Sequence, residues 1–222
     1  MTRLLLIRHG STAWNAERRY QGQTDIPLSE DGRDQVKRLA QRLSTERIDA
    51  VYASDLRRAW ETSKEIAASH GLTVRPDPRL REICFGQWEG KTREQIEADD
   101  AELLARWYAS PMDNSPPGGE TLRAVVKRVG AAYQSIANCH PEETVAIVAH
   151  GGTLRVLVCL ALKLSPHNYW RFRFDRASLS QLIARDDGAI LSSLNDVAHL
   201  RSWEGLSPGS WESSSRSPQG EI

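Results

Sequence analysis

Two short apolar runs, each ending in a histidine followed by glycine, constrain the fold of this chain more than any other feature. Residues 4–7 read Leu-Leu-Leu-Ile and lead into Arg-His-Gly at 8–10, and residues 144–149 read Thr-Val-Ala-Ile-Val-Ala and lead into His-Gly-Gly at 150–152. Uninterrupted aliphatic and β-branched runs are typical of strands buried on both faces of a parallel sheet. The sequence therefore predicts such a sheet, with both histidines at the carboxyl ends of its strands.

Helical periodicity alternates with the strand-like runs. Helices are predicted after the capping residue Ser29 to residue 43, from Asp55 to residue 68, from Thr121 to about residue 137, and over 154–164. Further strands are predicted over 50–53 and 72–75, the latter stopped by prolines, and a hairpin over 179–184 and 190–194. This order predicts an α/β fold: a three-layer sandwich with a mainly parallel central sheet and helices on both faces.

Length indicates one sizeable domain. A chain of 222 residues suits a single core. Residues 83–119 break the regular pattern with glycines and prolines, and we expect them to form a helical insertion inside a domain spanning 1–202. Residues 203–222 are rich in Ser, Pro and Gly, which predicts a disordered tail.

Composition narrows the classes of partner. Lys plus Arg and Asp plus Glu number 29 each, so no overall basic field attracts nucleic acid or an anionic membrane surface. The first apolar run is too short for a signal-peptide core or a membrane span, and we expect a cytoplasmic protein. The three cysteines, which are widely spaced and form no C-x-x-C pair, are interpreted as packing residues in a reducing compartment: Cys84, Cys139 and Cys159. No motif implies a metal or another cofactor.

Arginines accompany both histidines. Arg8 precedes His9, and Arg57-Arg58 lies one turn into the helix after the second strand, at the same edge of the sheet. Guanidinium groups bind phosphate oxygens in a bidentate fork, and a helix amino terminus after His150 adds backbone donors. We therefore expect a compact anion pocket, with one of the two neighbouring arginines on a solvated helix face.

Four motifs resemble those of the histidine phosphatase superfamily, also called phosphoglycerate-mutase-like. They are Arg8-His9-Gly10, Ser54-x-Leu56-x-Arg58-Ala59, Leu80-x-Glu82 and His150-Gly151. They occur in the order of the family, and the resemblance covers about residues 3–200. It implies the phosphoglycerate-mutase-like fold with its helical insertion.

The resemblance also implies roles. His9 would be the nucleophile that accepts the phosphoryl group and forms a phosphohistidine, which water then hydrolyses. Arg8, Arg58 and His150 would surround that group, and Glu82 would protonate the departing alkoxide. The residues implied in substrate binding beside these are Asn15, Gln21, Gly22 and Gly151. Ser11 and Thr12 are either further donors or ordinary turn residues.

Two segments resemble the phosphatase branch of the family, which includes α-ribazole-phosphate phosphatases and broad-specificity phosphatases. They are residues 83–92, with Phe-Gly-x-Trp-Glu-Gly, and residues 116–120, Pro-Pro-Gly-Gly-Glu. Mutases of the family carry a longer segment after the Leu-x-Glu motif. The expected function is a metal-independent phosphomonoesterase acting on small phosphorylated metabolites.

Alternatives stay open at this point. Two alternatives to a phosphatase are a cofactor-dependent phosphoglycerate mutase and a non-catalytic phosphate-binding scaffold. The presence of the whole reacting set argues against the scaffold. Trp14, Trp88 and Trp107 either form an apolar wall for the leaving group or, as we favour for most of them, pack in the core. The oligomeric state is also open, with a homodimer as one option.

Overall fold

The computed structural model describes residues 1–201, which form a six-stranded sheet with helices on both faces. The strands are β1 (Thr2–Arg8), β2 (Ala50–Ala53), β3 (Val74–Pro76), β4 (Thr144–Ala149), β5 (Leu179–Arg185) and β6 (Gly188–Asp196). Their order in the sheet is β3-β2-β4-β1-β5-β6. The first four of these are parallel, whereas β5 runs antiparallel to β1 and β6 antiparallel to β5. The predicted mainly parallel sheet is confirmed, and so is the hairpin at its edge.

Six α-helices connect the strands within residues 1–201. They are α1 (Ala13–Ala16), α2 (Glu30–Leu43), α3 (Arg57–Ala68), α4 (Arg93–Ala109), α5 (Leu122–Cys139) and α6 (Gly151–Ala161), with 3-10 turns at Pro78–Leu80, Gly86–Trp88, Pro166–Arg171 and Ala198–Leu200. Ser29 and Thr121 cap α2 and α5 through their side-chain oxygens, as their sequence positions predict. The α4 helix lies within the predicted insertion.

The two faces of the sheet bury separate apolar clusters. Side chains alternate along a strand, so Leu5 and Ile7 of β1 pack with α2 and α3, whereas Leu4 and Leu6 pack with α5 and α6. All four side chains are fully buried. The predicted three-layer α/β sandwich is therefore confirmed.

The α6 helix begins earlier than its sequence suggests. It was predicted over 154–164, and it starts at Gly151 and ends at Ala161. Glycine has a low helix propensity, which obscures this start. The backbone N–H of Leu154 donates to the carbonyl oxygen of His150 (2.9 Å), so the first helical turn closes directly on the histidine. The helix therefore presents its amino terminus beside the end of β4.

Two other boundaries also differ. The α3 helix begins at Arg57 and not at Asp55, whose carboxylate forms an ion pair with Arg81 instead of capping the helix. The predicted 72–75 strand is β3, and Pro76 lies inside it. Proline is accepted there because β3 is an edge strand, where no ladder N–H is needed on the outer side.

Three further sequence predictions concern the tail, a membrane span and the cysteines. The predicted disordered tail over 203–222 lies outside the described residues, and the domain boundary at residue 202 stays a prediction. Among residues 1–201, none of the helices combines the length and the apolar character that a membrane span requires. Cys159 is buried as predicted and Cys84 half-buried, but the packing interpretation is wrong for Cys139, which is exposed at the last residue of α5.

Candidate active site

The two strand-end histidines meet in the structure. Strands β1 and β4 are neighbours, with Arg8 paired to Ala149, so the residues that follow each strand lie side by side. The imidazole centroids of His9 and His150 are 5.0 Å apart, and the ring planes are inclined at 59°. His9 is 3% exposed and His150 fully buried. The parallel register of two adjacent strands thus brings together residues that are far apart in the chain.

A backbone carbonyl determines the tautomer of His9. The Nδ1 atom lies 2.7 Å from the carbonyl oxygen of Gly10. A carbonyl oxygen only accepts hydrogen bonds, so Nδ1 carries the proton and donates it. In the neutral ring the lone pair is then on Nε2, which is the atom able to attack an electrophile.

His150 is oriented by Ser54, which follows β2. The imidazole Nε2 lies 2.9 Å from Ser54 Oγ, and that oxygen accepts a hydrogen bond from the backbone N–H of Leu56 (3.3 Å). The Nδ1 atom of His150 is buried and has no hydrogen-bond partner among residues 1–201. Buried polar atoms are normally satisfied, so this nitrogen is suited to contact a ligand.

Both imidazoles are held in the neutral form. Burial is the main reason that the pKa values of His9 and His150 lie well below 6.5, and the nearby guanidinium of Arg58 is the second. Arg8 lowers both values further. At neutral pH the His9 ring is therefore unprotonated at Nε2.

Two buried arginines flank the histidines. Arg8 donates from Nη1 to the carbonyl oxygen of Phe174 (2.6 Å). Arg58 donates from Nη1 to the carbonyl of Thr24 (2.9 Å) and from Nη2 to that of Gly22 (2.7 Å). Of the predicted pair, Arg58 is fully buried and Arg57 is exposed, so one of the two lies on a solvated face as expected.

The hydrogen bonds of these guanidiniums go to backbone carbonyls, while the nearby Glu82 carboxylate partly offsets the effect of burial on the pKa of each arginine. Neutral carbonyls orient them, and the Nε atoms of both are buried without a hydrogen-bond partner in the same range. Burial lowers the pKa of Arg8 and that of Arg58 to about 10 each, so both stay cationic at neutral pH. The pocket therefore offers positive charge and free N–H donors to an anion.

Glu82 lies at the amino terminus of α6. Its Oε2 accepts a hydrogen bond from the backbone N–H of Gly152 (3.0 Å), and its Oε1 accepts from those of Thr153 (3.1 Å) and Ile83 (2.9 Å). Gly152 is required for this approach, because a Cβ there would lie 2.6 Å from Glu82 Oε1. Only one of these contacts engages Oε2, which leaves that oxygen a free lone pair for a proton.

The residues implied in substrate binding take several positions. Asn15 is buried, and its Oδ1 accepts from Thr12 N–H (3.0 Å) and Thr12 Oγ1 (3.1 Å). Gln21 is buried with its Oε1 unpartnered within residues 1–201. Gly22 holds Arg58 through its carbonyl oxygen, and a Cβ on Gly151 would lie 3.3 Å from Arg8 Cζ.

Ser11 and Thr12 behave as turn residues. The N–H of Ser11 donates to Gln35 Oε1 (3.0 Å), and its carbonyl oxygen accepts from Ser29 N–H (2.9 Å). Thr12 caps the short α1 helix. The turn interpretation is favoured because both backbone donors already have acceptors, Gln35 Oε1 for Ser11 and Asn15 Oδ1 for Thr12.

Glu89 and Arg176 belong to the site, although sequence reasoning missed both. Glu89 accepts from Gln23 N–H (3.0 Å) and Thr24 N–H (2.8 Å), and it thereby fixes the loop whose carbonyls hold Arg58. Arg176 lies within 3.5 Å of the carbonyl oxygen of Asn15, and its positive charge lowers the pKa of Arg8. Glu89 was visible only as part of a branch motif, and Arg176 follows no motif.

The tryptophans of the insertion are core residues. Trp88 and Trp107 are buried, with ring centroids 5.5 Å apart in an edge-to-face contact. Trp14 is half-buried and lies against Gly90, where a Cβ would be 3.1 Å from the indole. Within residues 1–201 no group of three or more His, Cys, Asp or Glu side chains is arranged to hold a metal ion.

Known proteins are similar to this chain in sequence and architecture. The family model described as histidine phosphatase superfamily (branch 1) matches residues 4–197. Phosphoserine phosphatase 1 of Hydrogenobacter thermophilus is 36% identical over 200 residues, which are 90% of this chain and 95% of the relative. Probable phosphoglycerate mutase GpmB of Yersinia enterocolitica is 34% identical over 205 residues, covering 90% of this chain and 95% of the relative.

A solved structure agrees with the fold. The α-ribazole phosphatase of Shigella flexneri superposes with a TM-score of 0.82 at 30% identity, covering 88% of this chain and 96% of the other. The chain belongs to the histidine phosphatase superfamily. The predictions of this family, of its fold and of an enzyme in the phosphomonoesterase class are confirmed.

Proposed function

We propose that this chain hydrolyses small phosphorylated metabolites without a metal, through a phosphohistidine on His9. One observation carries the proposal: two buried imidazoles with centroids 5.0 Å apart lie near two buried guanidiniums, whose hydrogen bonds go to backbone carbonyl oxygens. Such a pocket combines a nucleophile with cations for the equatorial oxygens of a transferring phosphoryl group.

In the first step His9 Nε2 attacks phosphorus, forming a nitrogen–phosphorus bond while the bond from phosphorus to the alcohol oxygen breaks. Glu82 Oε2 gives its proton to that oxygen, and the alcohol leaves. The ring becomes cationic on phosphorylation, and the Nδ1–H bond to the Gly10 carbonyl stabilises it. Arg8, Arg58 and the unpartnered Nδ1 of His150 hold the phosphoryl oxygens.

In the second step water replaces the alcohol. The Glu82 carboxylate takes a proton from the water, the water oxygen bonds to phosphorus, and the nitrogen–phosphorus bond breaks. Free phosphate leaves, and His9 and protonated Glu82 are restored. Ser54 accepts from Leu56 N–H, so its own hydroxyl is free to donate to His150 Nε2. This leaves the proton of His150 on Nδ1, where it faces the anion.

Phosphate release tests this function. Wild-type protein is expected to release phosphate from p-nitrophenyl phosphate, and His9→Ala is expected to lose that activity together with acid-labile phosphate incorporation. His167→Ala, at an exposed histidine in a 3-10 turn, is the matched control and should retain both. Turnover by His9→Ala close to the wild-type rate would reject the nucleophile, and no turnover by wild type on any phosphate ester would favour the scaffold alternative.

The second candidate is a phosphoglycerate mutase, which is favoured by the relative that carries that name. The two are separated by supplying 3-phosphoglycerate with a trace of 2,3-bisphosphoglycerate. We expect free phosphate as the product. Accumulation of 2-phosphoglycerate would instead identify a mutase.

The natural substrate is proposed only as a class. The relatives are named for phosphoserine, α-ribazole phosphate and phosphoglycerate, which are all phosphate esters of small alcohols. A panel of such esters, ranked by kcat/KM, should show a preference for one alcohol. A cytoplasmic location and a homodimer remain predictions, to be checked by fractionation and sedimentation.

A further inference from the structure

One arginine outside the phosphate pocket holds the main chain around Glu82. Arg128 of α5 donates from Nη1 to the carbonyl oxygens of Arg79 (2.8 Å) and Arg81 (2.6 Å). Its Nη2 donates to the carbonyl oxygen of Glu82 itself (2.9 Å). Three carbonyls of one short segment are therefore held by a single planar group.

Glu120 holds this arginine in turn. Arg128 Nε donates to Glu120 Oε1 and Arg128 Nη2 to Glu120 Oε2, each at 2.9 Å. Together with the three carbonyl contacts, these use all five N–H groups of the guanidinium. The two side chains are only 17% and 22% exposed. Glu120 Oε2 also accepts from Cys84 N–H (2.9 Å), so the pair grips the chain on both sides of Glu82.

The Pro-Pro-Gly-Gly-Glu loop delivers Glu120 to this position. The N–H of Glu120 donates to the carbonyl oxygen of Cys84 (2.8 Å), and the N–H of Gln87 donates to that of Pro117 (2.9 Å). A Cβ on Gly119 would lie 2.5 Å from the Cys84 carbonyl oxygen. The backbone at Gly119 therefore packs directly on the backbone at Cys84, which explains why this motif has glycine at position 119.

Gln23 links the same segment to the phosphate pocket. Its Nε2 donates to the carbonyl oxygen of Glu82 (3.1 Å) and lies 3.4 Å from Glu120 Oε2. The backbone N–H of Gln23 donates to Glu89, which fixes the loop that holds Arg58. Gln23 therefore connects the main chain of Glu82 to the loop that holds Arg58.

We propose that Arg128, fixed by Glu120, is a positioning residue for the Glu82 carboxyl and sets its reach toward the leaving-group oxygen. The proposal rests on the proposed function, in which Glu82 protonates the alcohol. A proton donor must come within hydrogen-bond distance of its acceptor, and a misplacement of about 1 Å costs about 100-fold in rate. Arg128 touches Glu82 only through its main chain, so it acts on position.

The test uses Arg128→Lys, which keeps the charge but offers three donors on one nitrogen and cannot reach five acceptors. We expect kcat/KM to fall about 100-fold on an alkyl phosphate such as phosphoserine, which needs the proton. The loss on p-nitrophenyl phosphate, whose leaving group needs none, should be much smaller. The matched control is Arg42→Lys, at another partly exposed arginine, ion-paired to Asp196, and it should leave the ratio of the two substrates unchanged.

Equal losses on the two substrates, or no loss on phosphoserine, would overturn the positioning role. If Arg128→Lys does not unfold cooperatively, the same ratio of kcat/KM values is measured for Glu120→Gln. This substitution keeps the shape of the Glu120 side chain and removes its charge. In a Glu82→Gln background Arg128→Lys should cause no further selective loss, and additive losses would also overturn the proposal.

The same measurements separate the two proposals. If Glu82→Gln itself lowers kcat/KM equally for both substrates, then the general-acid role fails and the positioning role fails with it. If Glu82→Gln is selective for phosphoserine and Arg128→Lys is not, only the positioning role is wrong.

Discussion

Replacing Gly22 by alanine should damage both the stability and the anion pocket. Gly22 has φ of +53°, and a Cβ there would lie 2.0 Å from Glu89 Oε1. An L-residue in this left-handed region costs about 1–2 kcal/mol. The displaced Glu89 oxygen accepts from the N–H groups of Gln23 and Phe85 at 3.0 Å each, and the loss of one such charge-assisted bond costs about 1.5–3 kcal/mol.

The chain contains a matched control for this substitution. Gly71 has φ of +63°, and a Cβ there meets nothing within 4 Å. In urea unfolding, Gly71→Ala should therefore lose only the conformational part of the free energy of unfolding, about 1–2 kcal/mol, whereas Gly22→Ala should lose about 2.5–5 kcal/mol. The difference between the variants isolates the clash with Glu89.

Vanadate inhibition supplies a second readout. The carbonyl oxygens of Gly22 and Thr24 hold the Arg58 guanidinium, so movement of this loop should weaken oxyanion binding. We expect the inhibition constant of Gly22→Ala to rise about tenfold, which corresponds to about 1.4 kcal/mol, and that of Gly71→Ala to stay unchanged. Unfolding free energies of the two variants that agree within about 0.5 kcal/mol would refute the reasoning.

Three further perturbations probe the charges of the site. Lowering the pH below 6.5 should destabilise the protein, because the folded pKa values of His9 and His150 lie well below 6.5 and the unfolded chain binds the protons first. Between pH 6.5 and its lowered pKa, each histidine contributes up to about 1.4 kcal/mol per pH unit to the pH dependence of the free energy of unfolding. When that free energy is measured by urea unfolding at several pH values, it should fall with pH less steeply for His9→Asn than for wild type, by about this amount; equal pH dependence would argue against a buried neutral ring. Arg58→Ala should weaken vanadate binding by about 2–4 kcal/mol, whereas Arg57→Ala, at the exposed neighbour, should not change the inhibition constant; similar effects of both would contradict the clamp. Arg176→Gln should weaken vanadate binding by about 0.5–1.5 kcal/mol through loss of a cation near Arg8 and His9, and Arg171→Gln, at an exposed arginine, serves as its control; an unchanged constant for Arg176→Gln would place that side chain outside the anion site.

Local patterns predicted much of the fold. The apolar run of β4 and the amphipathic spacing of α2 depend on neighbours within a few residues, so the sequence alone locates both elements. The α6 start was missed because two glycines at 151–152 obscure a helix that closes on the His150 carbonyl. Local propensity is a weak guide where a functional helix terminus requires glycine.

The candidate site likewise has a part that the sequence indicates and a part that only the structure shows. The resemblance of four motifs to those of the family implied His9, Arg58, Glu82 and His150 as candidate site residues. The network of Arg128 and Glu120 around Glu82, by contrast, spans contacts between residues 8 to 49 positions apart. No spacing rule connects such residues.

The sequence by itself determined the order of strands and helices and the side chains able to carry phosphoryl chemistry, since both are properties of short segments. Tertiary structure alone decided that β1 and β4 lie side by side, so that His9 and His150 touch. It also decided that carbonyl oxygens, and not carboxylates, orient Arg8 and Arg58. Burial and the pairing of distant segments produce these features, and neither is written in a local pattern.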